Sequence, residues 1–214
     1  MSVFIFLFGW ILGTILVYLF HQYYSQPPLS YTKPPKDPEG FPEKASTILS
    51  FNPFTISAIG LIYGILLCTI FNSLSASEAV LTVIWLTSGY LLSITDLIDY
   101  SVPACLLYPG LAAVAAGHLL QGNHIHWHTL LIVLPMFGFV LWGKLGDGDV
   151  LLLIGWAPWL ALSELAWLLL IASGLGMVVF ALYYVIWRWP IHHLPFVPFL
   201  SLGLCIVRLI PNSL

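Results

Sequence analysis

Long apolar segments follow one another along almost the whole sequence, with only short polar breaks between them. Eight can be separated, at about residues 3–22, 54–72, 79–96, 103–120, 129–144, 150–162, 165–187 and 196–210. A membrane-spanning helix needs about 20 mostly apolar residues. Since 60% of the 214 residues are hydrophobic and 7% are charged, the chain cannot cover a soluble globule with polar surface. The sequence predicts an all-α, polytopic membrane helix bundle of about eight transmembrane helices.

Charge and cysteine content exclude other classes. The chain has six Lys and Arg residues and nine Asp and Glu residues. It therefore has no basic patch to bind a nucleic-acid backbone, and no nucleic-acid partner is expected. The three cysteines form no C-x-x-C pair, which predicts neither a disulfide framework nor a zinc site. Half of the Lys and Arg residues lie in one Pro-rich stretch. We interpret residues 23–53 as a cytoplasmic loop within a single membrane-embedded domain, 1–214.

The basic residues predict an orientation. In an alternating eight-span arrangement, only Arg208 falls on one side of the membrane. The five on the other side are Lys33, Lys36, Lys44, Lys144 and Arg188. Because cytoplasmic loops carry the excess of Lys and Arg, we expect an external amino terminus and a cytoplasmic first loop.

Two features of the spans are interpreted as structural. Gly9 with Gly13, and Gly60 with Gly64, form G-x-x-x-G pairs that let helix backbones approach closely. Tryptophans near predicted span ends, among them Trp156 and Trp159, are typical of an aromatic belt at the membrane interfaces.

Four acidic residues are flanked by long apolar runs, Asp96 and Asp99 in one segment, Asp147 and Asp149 in another. Ionisable groups in such surroundings are functional candidates, and both pairs fall on the predicted cytoplasmic side. Two carboxyl groups held close together share a proton, so that one acts as acid and the other as base toward water and a peptide carbonyl. Solvated acidic loops, and a Gly-Asp turn that caps a helix, are the alternatives.

Three motifs resemble those of the type IV prepilin peptidases. Asp96 precedes Val102-Pro103 as in the first active-site motif of that family, and Gly146-Asp147-Gly148-Asp149 is similar to its G-x-G-D motif. The stretch LPFVPFLSLG, residues 194–203, is similar to its final-helix segment. The motifs occur in the family's order, and with a weaker likeness near Gly9 the resemblance extends over most of the chain.

This resemblance implies a membrane aspartyl endopeptidase that removes short basic leader peptides from prepilin-like precursors at the cytoplasmic face of the bacterial cytoplasmic membrane. Asp96 and Asp149 would form its catalytic pair. The residues that it implies for shaping the site or binding substrate are Gly146, Gly148, Asp147, Asp99 and Pro103. The expected partners are the precursor, with its apolar amino-terminal helix, and the lipid bilayer; the sequence leaves the oligomeric state open.

The first loop contains no cysteine, whereas many family members carry two C-x-x-C pairs there that bind zinc in a domain associated with methylation. The chain therefore resembles the short competence-type form. We expect no cofactor for proteolysis and no metal, and the missing cysteines weigh against zinc and S-adenosylmethionine. Leu151 and Ala104 also replace residues that are usual in the family, which affects the expected specificity.

Other interpretations stay open. The same carboxylates suit a small transporter that relays protons or holds a cation, which would place acids near mid-membrane beside broken helices. A bundle kept as an inactive assembly factor is a third reading. His124, His126 and His128 form an H-x-H-x-H cluster of weak metal-binding character, which we interpret as a solvated external turn.

Overall fold

The computed structural model describes residues 2–25, 52–99, 101–141, 146–187 and 195–209. Most of the predicted loop 23–53 lies outside these ranges, as do Lys144, Arg188 and the first residue of the third motif, Leu194.

The described residues form helices and connecting turns without strands. The helices are α1 (Ser2–Ser25), α2 (Pro53–Ser73), α3 (Ala76–Asp99), α4 (Ala104–Leu120), α5 (Trp127–Val133), α6 (Met136–Leu141), α7 (Asp147–Trp156), α8 (Leu162–Trp187) and α9 (Val197–Leu209). Helices α1, α2, α3 and α8 are long and apolar enough to cross a membrane. The prediction of an all-α bundle with membrane-length helices is confirmed at this level.

Two predicted segments differ in detail. Segment 129–144 is interrupted between α5 and α6, because Pro135 has no N–H to continue the helical hydrogen bonds. Segment 150–162 begins earlier, at Asp147, and α7 passes into a single 3-10 turn, Ala157–Trp159. The acidic motif therefore opens α7 instead of preceding it.

Close packing of α1 against α2 uses the four predicted glycines. A Cβ atom at Gly9 would lie 2.9 Å from the Cα of Gly64, and one at Gly13 would lie 3.0 Å from the Cα of Gly60. The predicted close approach of helix backbones is confirmed. The Tyr90 hydroxyl of α3 donates to the Gly13 carbonyl at 3.2 Å, which joins this pair to the remaining helices.

The bundle has two distinct ends. At one, which we call the acidic end, α3 finishes and α7 and α9 begin, so that Asp96, Asp149 and Val197 lie together. At the opposite end, α3 begins beside the end of α4, where the Gln121 side chain donates to the Ser77 carbonyl at 2.8 Å. The turn after α7 and the end of α9 lie at that opposite end as well.

A charged aromatic cluster fills the interior at the opposite end. Arg208 of α9 lies 4.7 Å above the ring of Trp85, donates to the Trp159 carbonyl at 3.0 Å and pairs with Glu164 of α8 at 3.4 Å. The His118 ring stacks on Trp159 with 4.9 Å between ring centroids. These contacts join α3, α4, α8 and α9 around one partly buried guanidinium.

The aromatic-belt interpretation is wrong for Trp156 and Trp159, which are 0% and 8% exposed. The 3-10 turn that contains Pro158 ends the apolar segment within the bundle, so both rings join the interior cluster. Trp156 packs edge-on against Trp85 with 6.1 Å between centroids.

The effect of adding a methyl group to a glycine depends on whether the glycine packs against a neighbouring helix. A Cβ at Gly60 would lie 2.6 Å from the backbone nitrogen of Thr14, whereas a Cβ at Gly174 of α8 meets nothing within 4 Å. We expect Gly60→Ala to lower the free energy of unfolding by about 1–3 kcal/mol because it overpacks the α1–α2 contact. Gly174→Ala should raise it by about 0.5–1 kcal/mol because alanine favours the helix. Helical circular dichroism during unfolding in detergent measures both, and equal stabilities would contradict the close contact.

Candidate active site

Small residues bring α3 and α9 into close contact within the two turns before Asp96. Ser201 of α9 donates its hydroxyl to the Gly89 carbonyl of α3 at 3.1 Å and lies 3.1 Å from the Ser93 hydroxyl. A Cβ at Gly89 would lie 2.8 Å from the Ser201 oxygen. The separation of the two helices is therefore limited by a glycine and two buried serines.

Asp96 accepts a hydrogen bond from the amino end of α9. The backbone N–H of Val197 donates to Asp96 Oδ2 at 3.1 Å, across 101 residues of chain. First-turn N–H groups have no partner within their own helix, and Pro198 has no N–H at all. The Asp96 carboxylate thus acts as a cap supplied by another helix, in the place where a negative charge is favoured. Asp96 is 7% exposed.

Asp149 lies in the first turn of α7, outside the four membrane-length spans. Burial, and secondarily the negative charge of Asp96, raise the pKa of Asp149 to about 7. The second contribution shows that carboxyls from two separate apolar segments are close enough to interact electrostatically.

The glycines of the second motif make room for the chain's own atoms. A Cβ at Gly146 would lie 3.0 Å from Asp149 Oδ2, and a Cβ at Gly148 would collide with the Val102 side chain. Gly146 has an ordinary extended backbone, φ −70° and ψ 137°. Glycine at position 146 is therefore favoured for a steric reason, because the missing side chain leaves space for the Asp149 carboxylate.

The other predicted site residues lie around this pair to different degrees. Asp147 is exposed in the first turn of α7. Pro103 precedes α4, where its carbonyl accepts from the N–H groups of Leu106 and Leu107 at 3.0 Å each. Asp99 is the last residue of α3, and its side chain lies outside the described part of the structure.

A metal site is not formed by the described residues. Among them, no three His, Cys, Asp or Glu side chains gather around a common point. His124, His126 and His128 are all exposed, at and beyond the turn that follows α4. The chemistry that the acidic end offers with its described residues is that of two carboxyls and the backbone N–H groups of Phe196 and Val197.

No protein-family model, curated protein or solved structure shows significant similarity to the chain. Residues and geometry therefore carry the functional argument.

Sequence reasoning missed the partner of Asp96. The donor is the backbone of Val197, and a backbone N–H leaves no mark in the residue type. Pro198 in the second helical position was an available sign that a helix starts there. Nothing in the local sequence showed that this helix start meets α3.

The raised pKa of Asp149 predicts a pH dependence of stability. The folded protein keeps this proton up to pH about 7, whereas an unfolded chain releases it near pH 4. Stability therefore falls as pH rises from about 4 to 7, because the folded state binds more protons. We expect Asp149→Asn to gain stability relative to wild type across this range and to show a constant difference above pH 7. Unfolding midpoints in detergent at several pH values measure this.

The matched control for this experiment is Asp147→Asn, the same chemical change at the exposed neighbouring carboxylate. Its pH dependence should follow that of wild type. An identical slope for wild type and Asp149→Asn would mean that Asp149 does not carry the proton.

Proposed function

We propose that the chain is a membrane aspartyl endopeptidase, a bundle of about eight spans in the bacterial cytoplasmic membrane with its amino terminus external. It removes the basic leader peptide from prepilin-like precursors at the cytoplasmic face. The observation that carries this proposal is that Asp96, near the end of α3, and Asp149, at the start of α7, lie at the same end of the bundle, where the charge of Asp96 contributes to the raised pKa of Asp149. The order of the three motifs resembling prepilin peptidases supports the same conclusion.

The two carboxyls differ in ways that suit different roles. Asp96 has one oxygen that accepts a hydrogen bond from the Val197 N–H, and such a bond is stronger to a carboxylate than to a neutral carboxyl. Asp149 has a pKa raised to about 7, so it retains a proton near neutral pH. In the proposed reaction Asp96 takes a proton from water as the water oxygen bonds to the scissile carbonyl carbon, and Asp149 gives its proton to the carbonyl oxygen. Asp96 then gives that proton to the amide nitrogen as the C–N bond breaks, and Asp149 takes its proton back from the former carbonyl oxygen as the C=O bond re-forms.

The charge around the pair suits a basic leader. Asp147 lies exposed beside it in the same helix turn. Arg208 is the single Lys or Arg within the described ranges, and it is held at the opposite end by Glu164. A cationic peptide segment would therefore meet carboxylates and no described positive charge at the acidic end.

A proton- or cation-coupled transporter is the second candidate. Its expectation of interrupted helices is met at Pro135, between α5 and α6, and neither member of the acidic pair lies on those helices. Asp96 is near the end of α3 and Asp149 is at the start of α7. This placement at helix ends favours a reaction at the membrane surface over a pathway through the bundle.

A cleavage assay tests the proposal directly. Purified protein in detergent is mixed with a prepilin-like precursor, and mass spectrometry identifies the new amino terminus. We expect Asp96→Asn and Asp149→Asn each to lower the cleavage rate by about a hundred- to ten-thousand-fold, because each removes one proton-transfer group. The wild-type rate should fall above pH 7, where Asp149 loses its proton.

Glu78→Gln is the control, since it makes a comparable change at the other end of α3, where Glu78 accepts from the Ser75 hydroxyl at 2.7 Å. Its rate should equal that of wild type. Full activity in either Asp variant, with normal amounts of folded protein, would refute the catalytic pair. A product heavier by one methyl group would show that the chain also methylates. No cleavage of several precursors by wild type would favour the transporter or the assembly factor.

A further inference from the structure

The start of α7, which carries Asp149, lies against the chain that connects α3 with α4. A Cβ atom at Gly148 would lie 2.5 Å from both the Cβ and one γ carbon of Val102. Val102 therefore rests directly on the bare backbone of Gly148, the residue before Asp149. Val102 is partly buried and also packs against the larger apolar core of the bundle.

The local sequence makes Val102 a stiff contact. Its side chain branches at Cβ, which restricts rotation about χ1. Pro103 follows it, and a residue before proline is restricted to extended backbone conformations. Pro103 is itself the N-cap of α4, with φ −69° and ψ 129°. The position of Val102 is therefore determined by the end of α3 and the start of α4.

The contact joins two residues that each lie close in sequence to one of the two acids. Val102 follows Asp96 by six residues, beyond the last turn of α3. Gly148 directly precedes Asp149. The contact between Val102 and Gly148 therefore links the two acid-bearing segments over a few residues on each side.

A second glycine holds the other end of α7. Gly155 follows Gly148 by seven residues, which is about two helical turns and returns to the same face of the helix. A Cβ at Gly155 would collide with the side chain of Leu111 on α4. Because α7 is held there, loss of the contact at Val102 chiefly affects the first turn, where Asp149 lies.

We propose that Val102 is a positioning residue of the reaction site. It holds the first turn of α7 against the connection between α3 and α4 and so sets the distance from Asp149 to Asp96. Its effect on cleavage rests on the proposed peptidase function. The positioning itself is a property of the folded chain and can be measured without a substrate.

Val102→Ala removes the two γ carbons and leaves space beside Gly148. The first turn of α7 then loses support and water reaches it, which weakens both causes of the raised pKa of Asp149, burial and the charge of Asp96. A lower pKa in the folded state means that fewer protons are released between pH about 4 and 7. We expect the stability of Val102→Ala to fall less over this range than that of wild type, measured as unfolding midpoints in detergent.

The cleavage assay gives a second readout on the same variant. We expect Val102→Ala to lower kcat by about ten- to a hundredfold, because small misplacements of reacting groups are costly. KM should change little, since substrate binding is not altered. The decline of the rate at high pH should begin at a lower pH than in wild type.

A background variant assigns any change in pH dependence to Asp149. At this end of the bundle, the other titratable side chains described on α3, α4 and α7 are Asp96, Cys105 and Asp147, and the substitution alters none of them. In Asp149→Asn, adding Val102→Ala should therefore leave the pH dependence of stability unchanged. A change that persists in this background would contradict the proposal.

The matched control is Val114→Ala, the same substitution at a side chain of α4 that is 1% exposed and belongs to the same core. It should lower the unfolding midpoint at every pH and leave both pH profiles as in wild type. Val102→Thr keeps the branch at Cβ and should restore wild-type behaviour in both measurements. Val102→Leu, which stays apolar but loses that branch, replaces the alanine variant if the latter does not fold.

The outcomes separate the positioning role from the peptidase. Equal pH dependence of stability in wild type and Val102→Ala, or an equal change in Val102→Ala and Val114→Ala, would overturn the positioning role. If wild type cuts the precursor and Val102→Ala cuts it with the same kcat and pH profile, positioning is refuted and the peptidase stands. If wild type cuts none of several precursors but Val102→Ala alone reduces the pH dependence of stability, the peptidase is refuted and the positioning stands.

Discussion

Asp96 keeps its position because the first turn of α9 lies against it. The carboxylate satisfies the Val197 N–H, and the separation of the two helices is set by Gly89, two turns before Asp96, and Ser201, one turn after Val197. A larger side chain at either position would move the helix start off the carboxylate, and both groups would then be buried without a partner. Such groups cost about 1–3 kcal/mol each. The hydrogen bond to Asp96 therefore depends on the small residues that set the distance between α3 and α9.

Helix α9 is held at both of its ends, by Asp96 at its start and by Glu164 near Arg208 at its finish. At the start of α9, the Asp96 carboxylate accepts from a backbone N–H that has no partner within the helix. Near its end, the Glu164 carboxylate pairs with the Arg208 guanidinium. Since both contacts belong to one 13-residue helix, at Val197 near its start and Arg208 near its end, they act together as a fixed spacer between α3 and α8. The position of Val197 at the acidic end therefore also depends on the contact between Glu164 and Arg208 at the opposite end.

The apolar segments were predictable because length and hydropathy define a span, and the backbone contact of α1 with α2 was predictable because G-x-x-x-G spacing has a direct steric meaning. The interruption at Pro135 lay within reach of the same rules, since proline cannot continue a helix. The burial of Trp156 was not predictable, because an indole at a span end suits either an interface or an interior. The donor to Asp96 was hidden for a different reason, since every residue type but proline offers the same backbone N–H.

The 101 residues between Asp96 and Val197 also order events during synthesis. When α3 leaves the ribosome, its acidic side chain has no donor, because the helix that supplies the donor has not yet been translated. Glu164 likewise lacks its Arg208 partner until the chain has grown by a further 44 residues. The final helix therefore completes both contacts, and a nascent chain that stops before α9 lacks the Val197 donor to Asp96 and the Arg208 partner of Glu164.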